Sequence, residues 1–129
     1  FNGDIYWTCE IRDKNILQRI GLNAEERKAI YCHELGHCFS DNQKDSSSKK
    51  REIADEVDSD TFAVEKCDIS IDVLERALRK TYEYYVAKAR KDANMTDERV
   101  QRFIQEMIAR KRNVERLRAM KKMREDISR

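Results

Sequence analysis

Cys32-His33-Glu34-Leu35-Gly36-His37-Cys38 contains both histidines of this 129-residue chain. His33 and His37 are four residues apart. On a helix their rings project from one face, one turn apart, and can share a metal ion. Glu34 is rotated about 100° around such a helix from His33, so it stands beside the ion rather than on it. That is the place for a general base acting on water. The reading therefore depends on whether this stretch is helical.

The flanking residues predict that it is. Gly21 breaks the chain, and Asn23 with Glu26 three positions on forms a capping-box pattern. Glu25 and Glu26 suit the positive end of the helix. The helix is expected over about 24–40, with Ala29, Cys32, Gly36 and Phe39 as its apolar stripe. His33 and His37 border that stripe and face inward. Gly36 costs about 1 kcal/mol relative to Ala in mid-helix, which points to a closely approaching element, here expected to be a strand. The spacing is the H-E-x-x-H signature of a zinc site with a glutamate base. Chance produces it roughly a few times per thousand in chains of this length.

The expected strand lies upstream. Ile5, Trp7, Cys9 and Ile11 alternate with Tyr6, Thr8 and Glu10, a period of two over about 4–11. It reads as a core strand, or as an edge strand that could pair with an extended peptide, and its partner strand is expected from Asn15–Ile20 or from residues upstream of Phe1. Downstream, Asp41 to Lys50 reads as a loop, followed by a helix over about 50–66. Ile53, Val57, Ala63 and Val64 mark that helix's inward face. Glu56 and Asp60 fall on the same face, where acids are costly unless paired or metal-bound. A catalytic zinc takes three protein ligands and a water. Glu56 is the best-placed third ligand, with Glu52, Asp60 and Asp41 as rivals. Asp60 is otherwise expected to accept from a histidine N–H behind the metal. Phe62 points away from Ile53 and is expected to pack on the C-terminal helices.

Charge divides the chain. Residues 1–71 carry 10 basic and 15 acidic side chains, net −5; residues 72–129 carry 17 and 10, net +7. Two modules are expected, 1–70 around the histidines and a basic helical extension over 71–129. There is no proline and only three glycines, which favours helix. No apolar run is long enough for a membrane span. The four cysteines, 9, 32, 38 and 67, form no C-x-x-C pair, so reduced thiols in a cytoplasmic setting are expected. Cys32 and Cys38 would point about 120° apart on a helix, so they cannot both join the histidines on one ion.

His33-Glu34-Leu35-Gly36-His37, followed by Glu56-Val57-Asp58-Ser59-Asp60-Thr61-Phe62-Ala63, resembles the gluzincin pattern, and among soluble forms the ImmA/IrrE-like metallopeptidases. The resemblance covers about residues 4–66. It implies an α+β minimal zincin domain, a short sheet with two metal-binding helices. It also implies Zn2+ held by His33, His37 and Glu56, with Glu34 as base and regulatory proteins such as repressors as substrates. The family's Leu-Leu-Met-Pro-like stretch is absent, Glu65-Lys66-Cys67-Asp68 standing in its place.

The basic half reads as two helices. The first is expected over 72–91, capped by Asp72, with Val73, Leu74, Ala77, Leu78, Thr81, Tyr82 and Tyr85 as its stripe. The second is expected over about 97–126 with Thr96 as N-cap. Val100, Phe103, Ile104, Met107, Val114 and Leu117 lie at near-heptad spacing on it. Residues 110–124 hold eight Lys/Arg and one acid. That run reads as a solvated face, or as contact with nucleic acid or a partner protein. The expectation is a zinc endopeptidase acting on a protein or peptide. The alternative is a non-catalytic zinc-containing module whose residues 97–126 bind nucleic acid or a partner.

Overall fold

The computed structural model describes residues 14–43, 52–92 and 96–128. These form five helices: α1 (Lys14–Ile20), α2 (Ala24–Gln43), α3 (Ile53–Lys66), α4 (Ile71–Lys91) and α5 (Asp97–Ile127). No strand occurs among the described residues, so the expected α+β minimal zincin domain with a short sheet is overturned in favour of an all-helical fold. The strand expected over 4–11 lies outside the described residues. Asn15–Ile20, the candidate second strand, belongs to α1. Ile16, Leu17 and Ile20 are spaced for one helix face and pack with Leu22, Ala77 and Ile30.

The helix ends follow from local chemistry. Asn23 caps α2 as expected: its Oδ1 accepts from the Glu26 amide at 2.8 Å, and Glu26 Oε1 accepts from the Asn23 amide at 2.9 Å. Glu26 is also fully buried, and Lys80 of α4 donates to its Oε1 at 2.7 Å. The cap therefore ties α2 to α4 across the chain. At α3, the Glu52 amide donates to Asp55 Oδ2 at 2.8 Å. After α3, Asp68 adopts a left-handed backbone (φ 60), a conformation that Asp tolerates better than most residues. The Ile69 amide then closes on the Ala63 carbonyl at 3.2 Å. Helix α4 begins at Ile71 with Ser70 as N-cap, not at Asp72, whose carboxylate instead accepts from Arg118. Thr96 caps α5 as expected, accepting from the Arg99 amide.

The main core is shared by four helices. Ala29 of α2, Ala63 of α3, Leu74 and Leu78 of α4, and Met107, Val114 and Leu117 of α5 form one cluster. The charge boundary after residue 71 thus falls at the start of α4, and the apolar contacts run across it. Tyr82 stacks on Phe103 with centroids 6.0 Å apart and Tyr85 meets that ring edge-on at 5.6 Å, so both serve packing. No helix among the described residues is long and apolar enough to cross a membrane.

Helices α2 and α3 form the closest pair, and Gly36 is the reason. A Cβ at Gly36 would lie 3.0 Å from Phe62 Cβ and 3.1 Å from Ser59 Cα. The element that Gly36 admits is therefore α3, not a strand. Phe62 packs on Gly36 and on Phe39, centroids 5.4 Å apart. A Gly36→Ala change gains about 1 kcal/mol of helix propensity, but overpacking a tight contact costs about 1–3 kcal/mol. Because one obstructing atom is backbone, the second effect wins. Differential scanning calorimetry is expected to show a Tm lowered by a few degrees; a raised Tm would mean that the helices separate without cost.

Candidate metal centre

The site is assembled from one face of α2 and one of α3. On α2, His33 and His37 are 4% and 1% exposed. Their rings meet edge-on with centroids 4.7 Å apart, as the four-residue spacing requires. On α3, Glu56 lies one turn before Asp60 and directs Oε2 to both rings. That oxygen is 2.8 Å from His33 Nε2 and 3.0 Å from His37 Nε2, and the two Nε2 atoms are 3.1 Å apart. Three ligand atoms thus converge from two helices, within the span a single ion could bridge.

The donor set fits zinc. Two imidazole nitrogens and one carboxylate oxygen are a common catalytic set, with bonds of about 2.0–2.2 Å. Tetrahedral geometry at those lengths separates the ligand atoms by about 3.3 Å. The observed separations, 2.8, 3.0 and 3.1 Å, lie within about half an ångström of that. The other nitrogen of His33, Nδ1, donates to Asp60 Oδ1 at 2.7 Å. That bond fixes the ring with Nε2 directed towards Glu56 and His37.

The sequence rivals fall elsewhere. Glu52 is exposed at the N-cap of α3. Asp60 serves the outer nitrogen of His33, not the convergence point. Asp41 belongs to α2, but its side chain lies outside the described residues. Glu34 follows His33 on α2 and is half-buried, on the flank the helix geometry prescribes.

The sequence reading missed Arg110. It belongs to the basic run of α5, yet it is 7% exposed and turned inward. Its Nε donates to Asp60 Oδ2 at 2.8 Å and its Nη2 to Oδ1 at 2.9 Å. Asn113, one turn on, donates to the Val57 carbonyl and to Thr61 Oγ1 at 3.3 and 3.1 Å. A signal for Arg110 was present: the heptad through Met107 and Val114 requires a core residue at 110, and an arginine there must find an anion.

Neighbours set the charge states. Burial opposes charge on His33, but its bonds to Asp60 and Glu56 outweigh burial and raise its pKa. Burial also opposes ionisation of Asp60, and Arg110 followed by His33 reverses this, holding the carboxyl low. Glu56 is likewise lowered, its burial outweighed by the two histidines. Glu106, which accepts from Arg110 Nη1 at 3.4 Å, is pushed up by burial and then by the charge of Glu56. Cys32 and Cys67 are free thiols. Burial and the adjacent Cys67 push Cys32 up to about 12, which makes it an inert packing group.

These shifts predict opposite pH slopes with and without metal. In chelator-treated protein, the raised pKa of His33 contributes stability below its unfolded value of about 6.5. That contribution is lost as pH rises through the higher folded value. The depressed Asp60 and Glu56 contribute above their unfolded values of about 4, and this is lost as pH falls through the folded ones. Metal binding needs neutral imidazole, so zinc affinity rises with pH. Between pH 6 and 8, Tm is expected to fall in chelator and to hold or rise with saturating zinc. Parallel slopes would exclude His33 from the binding equilibrium. Comparison with protein-family models, with curated proteins and with solved structures found no match to this chain.

Proposed function

We propose that the chain is a zinc-dependent peptidase that hydrolyses a protein or peptide substrate. The observation that carries this reading is the convergence of His33 Nε2, His37 Nε2 and Glu56 Oε2, beside a glutamate that a ligand set alone would not need. The gluzincin resemblance supports it at the level of the ligand arrangement: two histidines on one helix, a glutamate on the next. The sheet of that family forms no part of the proposal.

His33, His37 and Glu56 would hold the ion, and Asp60 would keep the His33 hydrogen on Nδ1. When bound, zinc supplies Lewis-acid polarisation and lowers the pKa of water at the site to about 7. The Glu34 carboxylate takes a proton from the attacking water and returns it to the nitrogen of the leaving amine. One water is consumed, and the peptide bond becomes a carboxylate and an amine. The buried walls around His33, His37 and Asp60 keep the ligand side dry, where electrostatic interactions are strongest.

The alternative, a binding module acting through residues 97–126, is less well supported. Arg110 is buried against Asp60, Arg118 is bridged to Asp72 and Glu75, and Arg116 donates to Asn113. Three of the eight Lys/Arg in residues 110–124 thus serve the fold's own contacts.

Mass spectrometry of metal content is expected to find about one zinc per wild-type chain and loss of it in Glu56→Ala. Glu34→Gln is expected to keep the metal and lose about 10²-fold or more of the hydrolysis of an unfolded protein substrate. No zinc in the wild type would sink the peptidase reading. Retained hydrolysis in Glu34→Gln would remove the base from it.

A further inference from the structure

We infer that Arg110 is a positioning residue for the proposed metal centre. By clamping Asp60 it holds His33 with Nε2 towards the ion, so α5 sets the affinity of a site whose ligands all lie on α2 and α3. The inference rests on the zinc reading above.

Asp60 is completely buried, and its carboxylate can rotate about a torsion with broad preferences. One hydrogen bond to a histidine would leave the carboxylate plane undetermined. The guanidinium fork determines it: Nε takes Oδ2 and Nη2 takes Oδ1, at 2.8 and 2.9 Å, the bidentate geometry that a lysine cannot reproduce. Oδ1 then has one remaining direction, and the His33 Nδ1–H fills it at 2.7 Å. Arg110 Nη2 and His33 Nδ1 are only 3.3 Å apart. Two nitrogens that close, both aimed at Oδ1, are two donors sharing one acceptor. Glu106, one turn earlier on α5, braces the other end of the guanidinium at 3.4 Å.

Packing does not demand this arrangement. Position 110 sits among the buried Met107, Val114 and Leu117 of α5, and an apolar side chain of similar volume there, with one opposite it, commonly serves stability as well as a buried ion pair. What an apolar pair cannot do is orient an imidazole.

The test is zinc affinity, measured by competition with a chromophoric chelator on the full-length chain. Circular dichroism and Tm are recorded for each variant. Arg110→Met is expected to weaken zinc binding about 10–100-fold, the usual effect of losing a group that orients a ligand. Arg110→Lys, the variant best able to keep the fold, is expected to lose about 10-fold, because it keeps the charge but not the fork. Asp60→Asn is expected to lose as much as Arg110→Met. The Asp60→Asn/Arg110→Met double variant is expected to lose little more than either, because both act through one bond to His33. Asn113→Ala removes polar contacts between α5 and α3 that do not involve Asp60. It is expected to lower Tm and leave zinc affinity unchanged. Wild-type affinity in a folded Arg110→Lys, multiplicative losses in the double variant, or an equal affinity loss in Asn113→Ala would each overturn the inference, the last by showing that α5 acts only through stability. The wild-type measurement separates this failure from failure of the zinc reading itself: a chain that binds no zinc rejects both, whereas tight zinc binding indifferent to Arg110 rejects only this one.

Discussion

Asp60 is a carboxylate without access to water, and three hydrogen bonds from two side chains hold it ionised there. An unpaired carboxylate in that position would be strongly destabilising, and removing either partner leaves the other charge uncompensated. Asp60 therefore constrains three helices at once. It is carried by α3, it receives His33 from α2, and it receives Arg110 from α5. The arrangement of the proposed ligands follows from that constraint, because His33 can present Nε2 only while Nδ1 is engaged.

Two further features hold the same geometry from other sides. Gly36 lets α2 and α3 approach until a Cβ would not fit, which brings Glu56 within reach of both imidazoles. The Asn23–Glu26 capping box is usually a local device, worth about 1 kcal/mol. Here the Glu26 carboxylate is buried and also takes Lys80 of α4, with Arg76 Nε 3.6 Å from its other oxygen. The start of α2 is thereby fixed to the helix that supplies Leu74 and Leu78 to the core. One end of α2 is held by charge and its middle by close contact at Gly36, which His33 and His37 flank.

The uneven charge of the chain takes on a structural meaning in this light. The acidic half supplies Glu26 and Asp60, and the basic half supplies Lys80 and Arg110. Arg118 reaches back from α5 to Asp72 and Glu75 on α4, so some of the positive charge is also neutralised within the second half. The asymmetry is expressed as pairing between helices as much as by surface potential. The apolar core crosses the same boundary.

Local periodicity made much of this legible. The four-residue spacing of His33 and His37, the caps at Asn23 and Thr96, the extents of the four longer helices, and the placement of Glu56 and Asp60 on the inward face of α3 all depend on contacts within a turn or two. A 3.6-residue repeat carries that information in the sequence itself. What failed was reading contacts between segments. The approach admitted by Gly36 was assigned to a strand and Asn15–Ile20 to a sheet, although Ile16, Leu17 and Ile20 already carried helical spacing. Arg110 lies 50 residues from Asp60, and no local pattern specifies which distant anion a buried cation will meet. Sequence alone thus determined which side chains face inward together on each helix. The tertiary structure decided which faces meet, because burial compels each polar group on those faces to find a partner wherever the packing brings one.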